Sequence, residues 1–513
     1  MILYQNRRPF GTLAAMITRR TAVGALAAAP AARPQGRKPN FLYILADDHA
    51  GYVLGAAGNR LARTPNLDQL AREGTHFRNH FCNSPVCTPS RQSFFTGQMP
   101  SMAGVTVLRT PLSNDKPTLA KQFKNAGYQT AVMGKMHFNQ PSRPGLHGFD
   151  HVMCEDVVGR EWQKAGPSRA VAESVKVKPQ WRPFRDPANI WLNADKLPFG
   201  RYDHDMRGSF LARQACQYLE DNKDSQFALW VSFQEPHSPF DFPVEDAGAF
   251  DPARFPVPKV GSEDAWQIPL IFKDLKPEEK QGIIAAYYTS ARFLDRNIGI
   301  VLDKLKSLGL DGNTTVVYMA DHGYSLGQHG RFEKHCGYDP ALHVPLILRH
   351  PGRIRAGHAV TEMTEHIDVP ATVCDIMGLD PLPVLHGQSL RPYLEGKAHP
   401  SPRTHIFSQY LENEEAFVRT DRWKYIFCTG QRKRTDGYLI ADPTPGRYKR
   451  LYDRKADPGE FTDVAAENPT VVAEMEDLIL ERFRRTHPEA DKEPGNQPSR
   501  EDAIAWYVRP RDA

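Results

Sequence analysis

The sequence predicts an α/β fold built on a largely parallel sheet with helices on both faces. Continuous apolar runs recur along the chain, the pattern of strands buried on both sides. Helical patterns with start signals separate them, as expected for strands joined by crossover helices. The runs also end in acids, lysine or histidine. In open α/β sheets ligands bind outside the carboxyl ends of the strands, so the fold prediction carries a site prediction with it.

The first run, Phe-Leu-Tyr-Ile-Leu-Ala at 41–46, leads straight into Asp47-Asp48-His49. Thr64-Pro65 then opens a helix over 66–73, with Thr as N-cap and Pro in the first turn. A second run at 129–133 ends in Gly134-Lys135-Met136-His137, and a third at 227–233 ends in Gln234-Glu235-Pro236-His237. A long helical pattern covers about 280–308. The fourth run, 314–320, ends in Asp321-His322-Gly323, and a fifth covers 345–348. Taken singly, each polar end reads equally well as a cap, a turn or an exposed loop. Four together at strand ends predict one crevice lined by metal ligands and cations, suited to an anion.

Composition sets the frame. The 513 residues are 40% hydrophobic and 24% charged, enough for two domains. Forty-two prolines and thirty-seven glycines occur without a low-complexity run, which predicts ordered loops. At the N-terminus, Thr18-Arg19-Arg20-Thr21 precedes a short apolar run at 22–29 with small residues through Ala32. Residues 1–32 therefore read as a twin-arginine (Tat-like) bacterial export signal, with Met16 an alternative start and a disordered basic tail the competing reading. The run is too short for a stable membrane span. A periplasmic or secreted location is the corresponding expectation.

The net charge is +5, and the four arginines of 1–32 (Arg7, Arg8, Arg19, Arg20) account for all but about +1. A near-neutral domain lacks the basic field of a nucleic-acid binder, so no nucleic-acid partner is expected. Seven cysteines (82, 87, 154, 216, 336, 374, 428) is an odd number for an exported protein, and their spacing leaves pairing open. Cys374 and Cys428 sit in apolar runs and read as core thiols. No CxxC pair points to a structural zinc site.

The stretch Cys87-Thr88-Pro89-Ser90-Arg91, continuing to Thr96-Gly97, resembles the signature of the sulfatase family. Gly127-Tyr128-Gln129-Thr130-Ala131-Val132-Met133-Gly134-Lys135-Met136-His137 resembles the family's second signature. Asp321-His322-Gly323, Gly327-Gln328-His329-Gly330, Glu333-Lys334 and Val344-Pro345-Leu346-Ile347 are similar to its later metal and lysine segment. Leu451-Tyr452-Asp453 with Asp457-Pro458-Gly459-Glu460 resembles its C-terminal motif. The likeness covers roughly 39–485.

That resemblance implies an alkaline-phosphatase-like fold. A large, mostly parallel sheet covered by helices carries the site over 39–396, and a smaller C-terminal α+β domain with an antiparallel sheet covers 397–513. Strand-like segments at 415–419 and 423–428 and a helix over 468–484 would build the second domain. Residues 486–513 carry no assignment beyond Trp506-Tyr507, which can dock onto the main domain.

The resemblance also implies a chemistry. Cys87 would be oxidised to formylglycine by a maturation enzyme, and its hydrate would attack sulfur, then release sulfate as the aldehyde re-forms. Arg91 and Lys135 would hold the modified residue and His137 would be the base. Asp47, Asp48, Asp321 and His322, with Cys87, match the metal site, usually Ca²⁺. His322 stands where Asn is frequent, and imidazole is a poor Ca²⁺ ligand, so Mg²⁺, Mn²⁺ or Zn²⁺ stays open. Lys334 and His237 match the groups that grip sulfate and protonate the leaving oxygen, with the acid unassigned between them.

The substrate expectation is a sulfated carbohydrate of the glycosaminoglycan type, as for iduronate 2-sulfatases, from Gly337-Tyr338-Asp339 and the Asp321-His322 pair. Gly134–Phe138 with Leu146–Asp150 resemble choline sulfatases instead, and an aryl sulfate is a further alternative. Phosphonate or phosphodiester hydrolysis, and glycan binding without catalysis if Cys87 stays a thiol, are further alternatives. Trp162, Trp181, Trp191, Arg160, Arg182 and Arg201 in 160–206 can line a sugar pocket or simply pack a loop. Arg432-Lys433-Arg434 reads as a solvated hairpin tip that can touch an acidic polymer.

Overall fold

Strand β1 (Asn40–Ala46) is buried along its whole length. Its alternate side chains enter two cores: Phe41, Tyr43 and Leu45 join one, and Leu42, Ile44 and Ala46 the other. A strand apolar on both faces needs cover on both sides, at roughly 1.5–3 kcal/mol per large side chain buried. The computed structural model describes residues 38–173, 201–434 and 437–511. The expected export segment and Trp181, Arg182 and Trp191 lie outside those residues.

Seven further strands complete the main sheet: β2 (Thr75–Phe81), β3 (Gln129–Gly134), β4 (His151–Cys154), β5 (Phe227–Ser232), β6 (Thr314–Ala320), β7 (His343–Arg349) and β8 (His358–Glu365). Their order is β4-β3-β5-β1-β6-β7-β2-β8. All neighbours are parallel except the two pairings of β7. The expected runs are all strands. The connection from β6 to β7 is a loop without a crossover helix, which suits the antiparallel direction of β7.

This topology fixes one edge of the sheet. The carboxyl ends of β1, β2, β3, β5 and β6 all point to it, and the β6–β7 loop crosses it. The helix Cys87–Thr96 starts there, after β2, and all ten of its residues are buried. It ends at Gly97, φ 72°, whose N–H donates to Ser93 O, a left-handed C-terminal cap that suits glycine.

The second sheet is antiparallel, with β9 (His405–Tyr410), β10 (Glu415–Thr420), β11 (Trp423–Cys428) and β12 (Tyr448–Asp453) in the order β12-β11-β10-β9. Helix Pro469–Thr486 packs on it. The stretch without a sequence assignment ends in a helix, Arg500–Tyr507, whose Tyr507 ring stacks on Phe483 at 4.9 Å. Pro39–Ala513 forms one compact unit. All seven cysteines are free thiols, and Cys374 and Cys428 are indeed buried in the core. Among the described residues no helix is long and apolar enough to cross a membrane.

Candidate active site

The turn after β1 carries Asp47 and Asp48 with no solvent exposure. Asp48 is held at φ 65°, an uncommon conformation for a side-chain-bearing residue. Tyr287, on helix Pro277–Ser307, fixes that turn: its hydroxyl donates to Asp48 O and accepts from Ala50 N at 2.9 Å. After β6, Asp321 accepts from Asp48 N at 3.1 Å and His322 N at 2.9 Å. One carboxylate thereby ties together the two neighbouring strand ends.

Arg91, four residues into its helix, is fully buried. Its Nε donates to Asp321 Oδ2 at 2.8 Å, one terminal nitrogen donates to Ser232 Oγ at 2.9 Å and to Lys135 O, and the other lies 3.5 Å from Asp47 Oδ2. A planar fork can bridge four strand ends in this way where a lysine cannot. Lys135 pairs with Asp47, and Glu155 accepts the backbone N–H of Met136 and His137, each at 3.1 Å. Sequence reasoning missed Ser232 and Glu155. Ser232 sits inside an apolar run and Glu155 opens a helix, so neither stands out by pattern.

Cys87 Sγ sits at the centre. It lies 3.5 Å from Asp47 Oδ1, 3.2 Å from His322 Nε2 and 3.2 Å from Lys334 Nζ, which also donates to Asp48 Oδ1 at 2.7 Å. His137 lies beside it. Burial alone would push this thiol up, but Lys334, Lys135 and His322 hold it well below its ordinary value. Burial opposes the charge on His322 as well, and Asp321 and Cys87 overcome it, so that imidazole is pushed up to about 9. Burial and the Lys135 ammonium lower His137.

His237 lies at the rim. Its Nδ1 hydrogen-bonds Ser238 O, which leaves Nε2 facing Asp48 Oδ2 at 4.0 Å. All the residues expected from the sequence therefore meet at one sheet edge. Asp47, Asp48, Cys87 and His322 offer ligand atoms that lie within 4.8 Å of one another. Asp321 stands beside them, its Oδ2 3.5 Å from His322 Nε2, with both oxygens already accepting N–H groups.

The residues fit a divalent cation. Asp48 Oδ2 is buried without a hydrogen-bond donor, and a carboxylate oxygen left so is costly unless a cation takes it. Hard carboxylates suit Ca²⁺ or Mg²⁺, and the imidazole broadens the choice. Three buried cations, Arg91, Lys135 and Lys334, offset the three carboxylates and leave the site receptive to an anion.

One other expectation changes, and one open alternative is decided. Arg434 is not a solvated tip: it is buried, with NH2 3.4 Å from Glu333 Oε2 and 3.3 Å from His335 O, on either side of Lys334. Trp162 packs rather than lining an open pocket; its indole N–H donates to Asp205 O at 2.8 Å and Arg201 stacks on its ring at 4.2 Å.

A mostly parallel sheet with metal-type ligands at one edge, beside a second antiparallel sheet, is the alkaline-phosphatase-like fold. Within that class the chain belongs to the sulfatase family, whose model, described as Sulfatase, matches residues 39–379. The enzyme is accordingly a sulfuric ester hydrolase. A second model, N-sulphoglucosamine sulphohydrolase, C-terminal, matches residues 327–485. The chain is 27% identical to a choline-sulfatase of Rhizobium meliloti, over 84% of this chain and 83% of that protein. It is 27% identical to a delta 4,5-hexuronate-2-O-sulfatase of Bacteroides thetaiotaomicron, over 86% of this chain and 87% of that one. Among solved structures, a phosphonate monoester hydrolase from Silicibacter pomeroyi is 25% identical, covering 88% of this chain and 96% of its own, with a TM-score of 0.72.

Proposed function

We propose that the enzyme is exported and hydrolyses a sulfate ester on an acidic saccharide, using a formylglycine made from Cys87 and a divalent metal, Ca²⁺ first among the candidates. The observation that carries this reading is the position of Cys87 Sγ, within 3.5 Å of Asp47, His322 and Lys334. In this reading a hydrated aldehyde made from that side chain would stand among cations and ligand oxygens. The modified residue supplies a nucleophilic hydroxyl and, through its second hydroxyl, a way to release sulfate. Asp47, Asp48 and His322, with Asp321 beside them, would hold the metal, which would supply charge to polarise sulfate oxygens.

The chain's own groups do the rest. Lys334 and Lys135 offset the charge that grows on the sulfate oxygens. Arg91 fixes the relative positions of the strand ends. His137, lowered by burial and Lys135 and beside Cys87, is a base at that residue. His237, at the rim with its Nδ1 anchored, presents Nε2 toward the place of a leaving oxygen and is the acid in this reading.

The saccharide assignment is supported by the match of 327–485 to the N-sulphoglucosamine sulphohydrolase C-terminal model and by the hexuronate-sulfatase relative. The fold likeness to a phosphonate monoester hydrolase favours a second reading, hydrolysis of phosphonate esters at the same site. Two measurements test the assignments. Mass spectrometry of the peptide 79–91 from the native host should find the aldehyde at Cys87; an intact thiol sinks the catalytic mechanism. Product release from a panel of sulfated disaccharides, choline sulfate, an aryl sulfate and a phosphonate monoester should favour the disaccharides. Preference for the phosphonate would replace the sulfate reading.

A further inference from the structure

Away from the catalytic edge, three exposed arginines and one acid, Asp251, line one cleft. Arg60 and Arg63 come from the loop before helix Pro65–Glu73, and Arg254 from the turn Pro252–Arg254. With Leu61, Phe250, Asp251 and Phe255 they line a shallow cavity of about 50 Å³. Among the described residues none of the three makes an ion pair. Asp251 also lines the cleft, but its Oδ1 accepts from Ala253 N at 3.0 Å.

The backbone under these arginines is firmly held. Asn59 Oδ1 accepts from Leu61 N at 2.9 Å and Ala62 N at 3.2 Å, while its amide donates to Tyr52 O at 2.7 Å and Tyr288 Oη at 2.8 Å. On the other wall, Gln281 donates to Phe255 O at 2.8 Å. The floor is aromatic: Phe255 and Phe250 lie 4.8 Å and 5.9 Å from the Tyr288 ring, and the Arg63 guanidinium stacks over Phe250 at 4.5 Å. Nearby on the same long helix, Arg292 and Arg296 both pair with Asp246.

Unpaired guanidiniums on a rigid concave wall suit sulfate or carboxylate groups, which they bind through paired N–H donors. We propose that this cleft is a second anion-binding site, which holds a sulfate or carboxylate of an anionic polysaccharide while another residue of the same chain occupies the catalytic edge. Helix Pro277–Ser307 joins the two places, since Tyr287 holds the Asp48 turn and Tyr288 packs against the cleft's Phe250 and Phe255. A neutral or single-residue substrate would gain nothing from it. The inference rests on the saccharide reading, and deepens it from a single residue to a chain.

The test uses the full-length matured enzyme and dextran sulfate as probe. The variant R60A/R63A/R254A should bind dextran sulfate about tenfold more weakly at low salt, the scale of losing three partly exposed charge contacts. Its turnover of a small aryl sulfate should stay within about twofold of the parent, and R254E alone should reproduce part of the binding loss. Circular dichroism melting checks that the fold is kept. Unchanged binding by the triple variant overturns the proposal. Equal competition by inorganic sulfate, matched for sulfate groups, overturns the polysaccharide part and makes the cleft a free-anion site. Equally tight, arginine-dependent binding of polyphosphate overturns the choice of saccharide. If disaccharides are not desulfated at all, the saccharide reading fails separately, whatever the variant does.

Discussion

The catalytic cluster and the network around Asp339 are both buried and both mix carboxylates with cations, yet they differ in what they leave open. Asp339 Oδ1 takes Lys424 at 3.0 Å, and its Oδ2 takes Arg419 at 3.1 Å and Arg454 at 2.9 Å. Glu460 accepts from Arg454 at 2.6 Å and from Asp339 N at 3.2 Å. Every carboxylate oxygen there is engaged. At the catalytic edge Asp48 Oδ2 has no donor and a low-lying thiol sits among three cations. Buried charge is thus common to scaffold and site; unfilled ligand capacity separates them.

Substitutions should break the comparison in opposite ways. Cys87→Ala should cost on the order of 10⁴-fold or more in turnover with little change in melting temperature, measured by sulfate release and calorimetry. Asp48→Asn should lose activity and bound metal together, read by activity and elemental analysis, and added Ca²⁺ should restore little of either. Asp339→Asn should leave metal content intact but destabilise the fold by about 3–5 kcal/mol, because three cations lose their buried partner.

A pH experiment sharpens the contrast with a third group. Burial pushes Glu415, on β10, up to about 7 from 4.5, against the pull of Arg434. The folded state holds this proton more tightly than the unfolded one. Its contribution is therefore full below about pH 4.5 and is lost as pH rises through about 7, up to about 3 kcal/mol. Glu415→Gln should flatten that fall in denaturant titrations; an unchanged slope would mean the carboxyl is ionised throughout. The smallest effect is expected at the exposed Arg422–Asp453 pair, 2.7 Å apart. Arg422→Ala should leave the melting temperature essentially unchanged, because a solvent-screened pair contributes little.

Much of this was legible in the sequence because parallel strands buried on both faces leave unbroken apolar runs, and their polar ends then stand out. Asp47, Lys135, His237 and Asp321 were found that way. β2 and β8 were not, since Thr75–Phe81 contains Arg78 and Asn79 and His358–Glu365 exposes Ala359, Thr361 and Glu362. Both lie toward one side of the sheet, where partial exposure permits polar residues. The direction of β7 has no sequence signal, because the same apolar run serves either orientation. Arg434 looked solvated because a basic tripeptide between strands resembles a hairpin tip; only the fold brings Glu333 to it.

The complete burial of helix Cys87–Thr96 bears on the order of events in the life of the chain. With Cys87 2% exposed and Arg91 inaccessible, a second protein cannot reach the pentapeptide once the sheet has closed around it. Any enzymatic change to Cys87 has to be made on an extended segment, in competition with folding. The fraction of competent molecules is then set by a race between two rates, and slowing folding at lower temperature should shift its outcome.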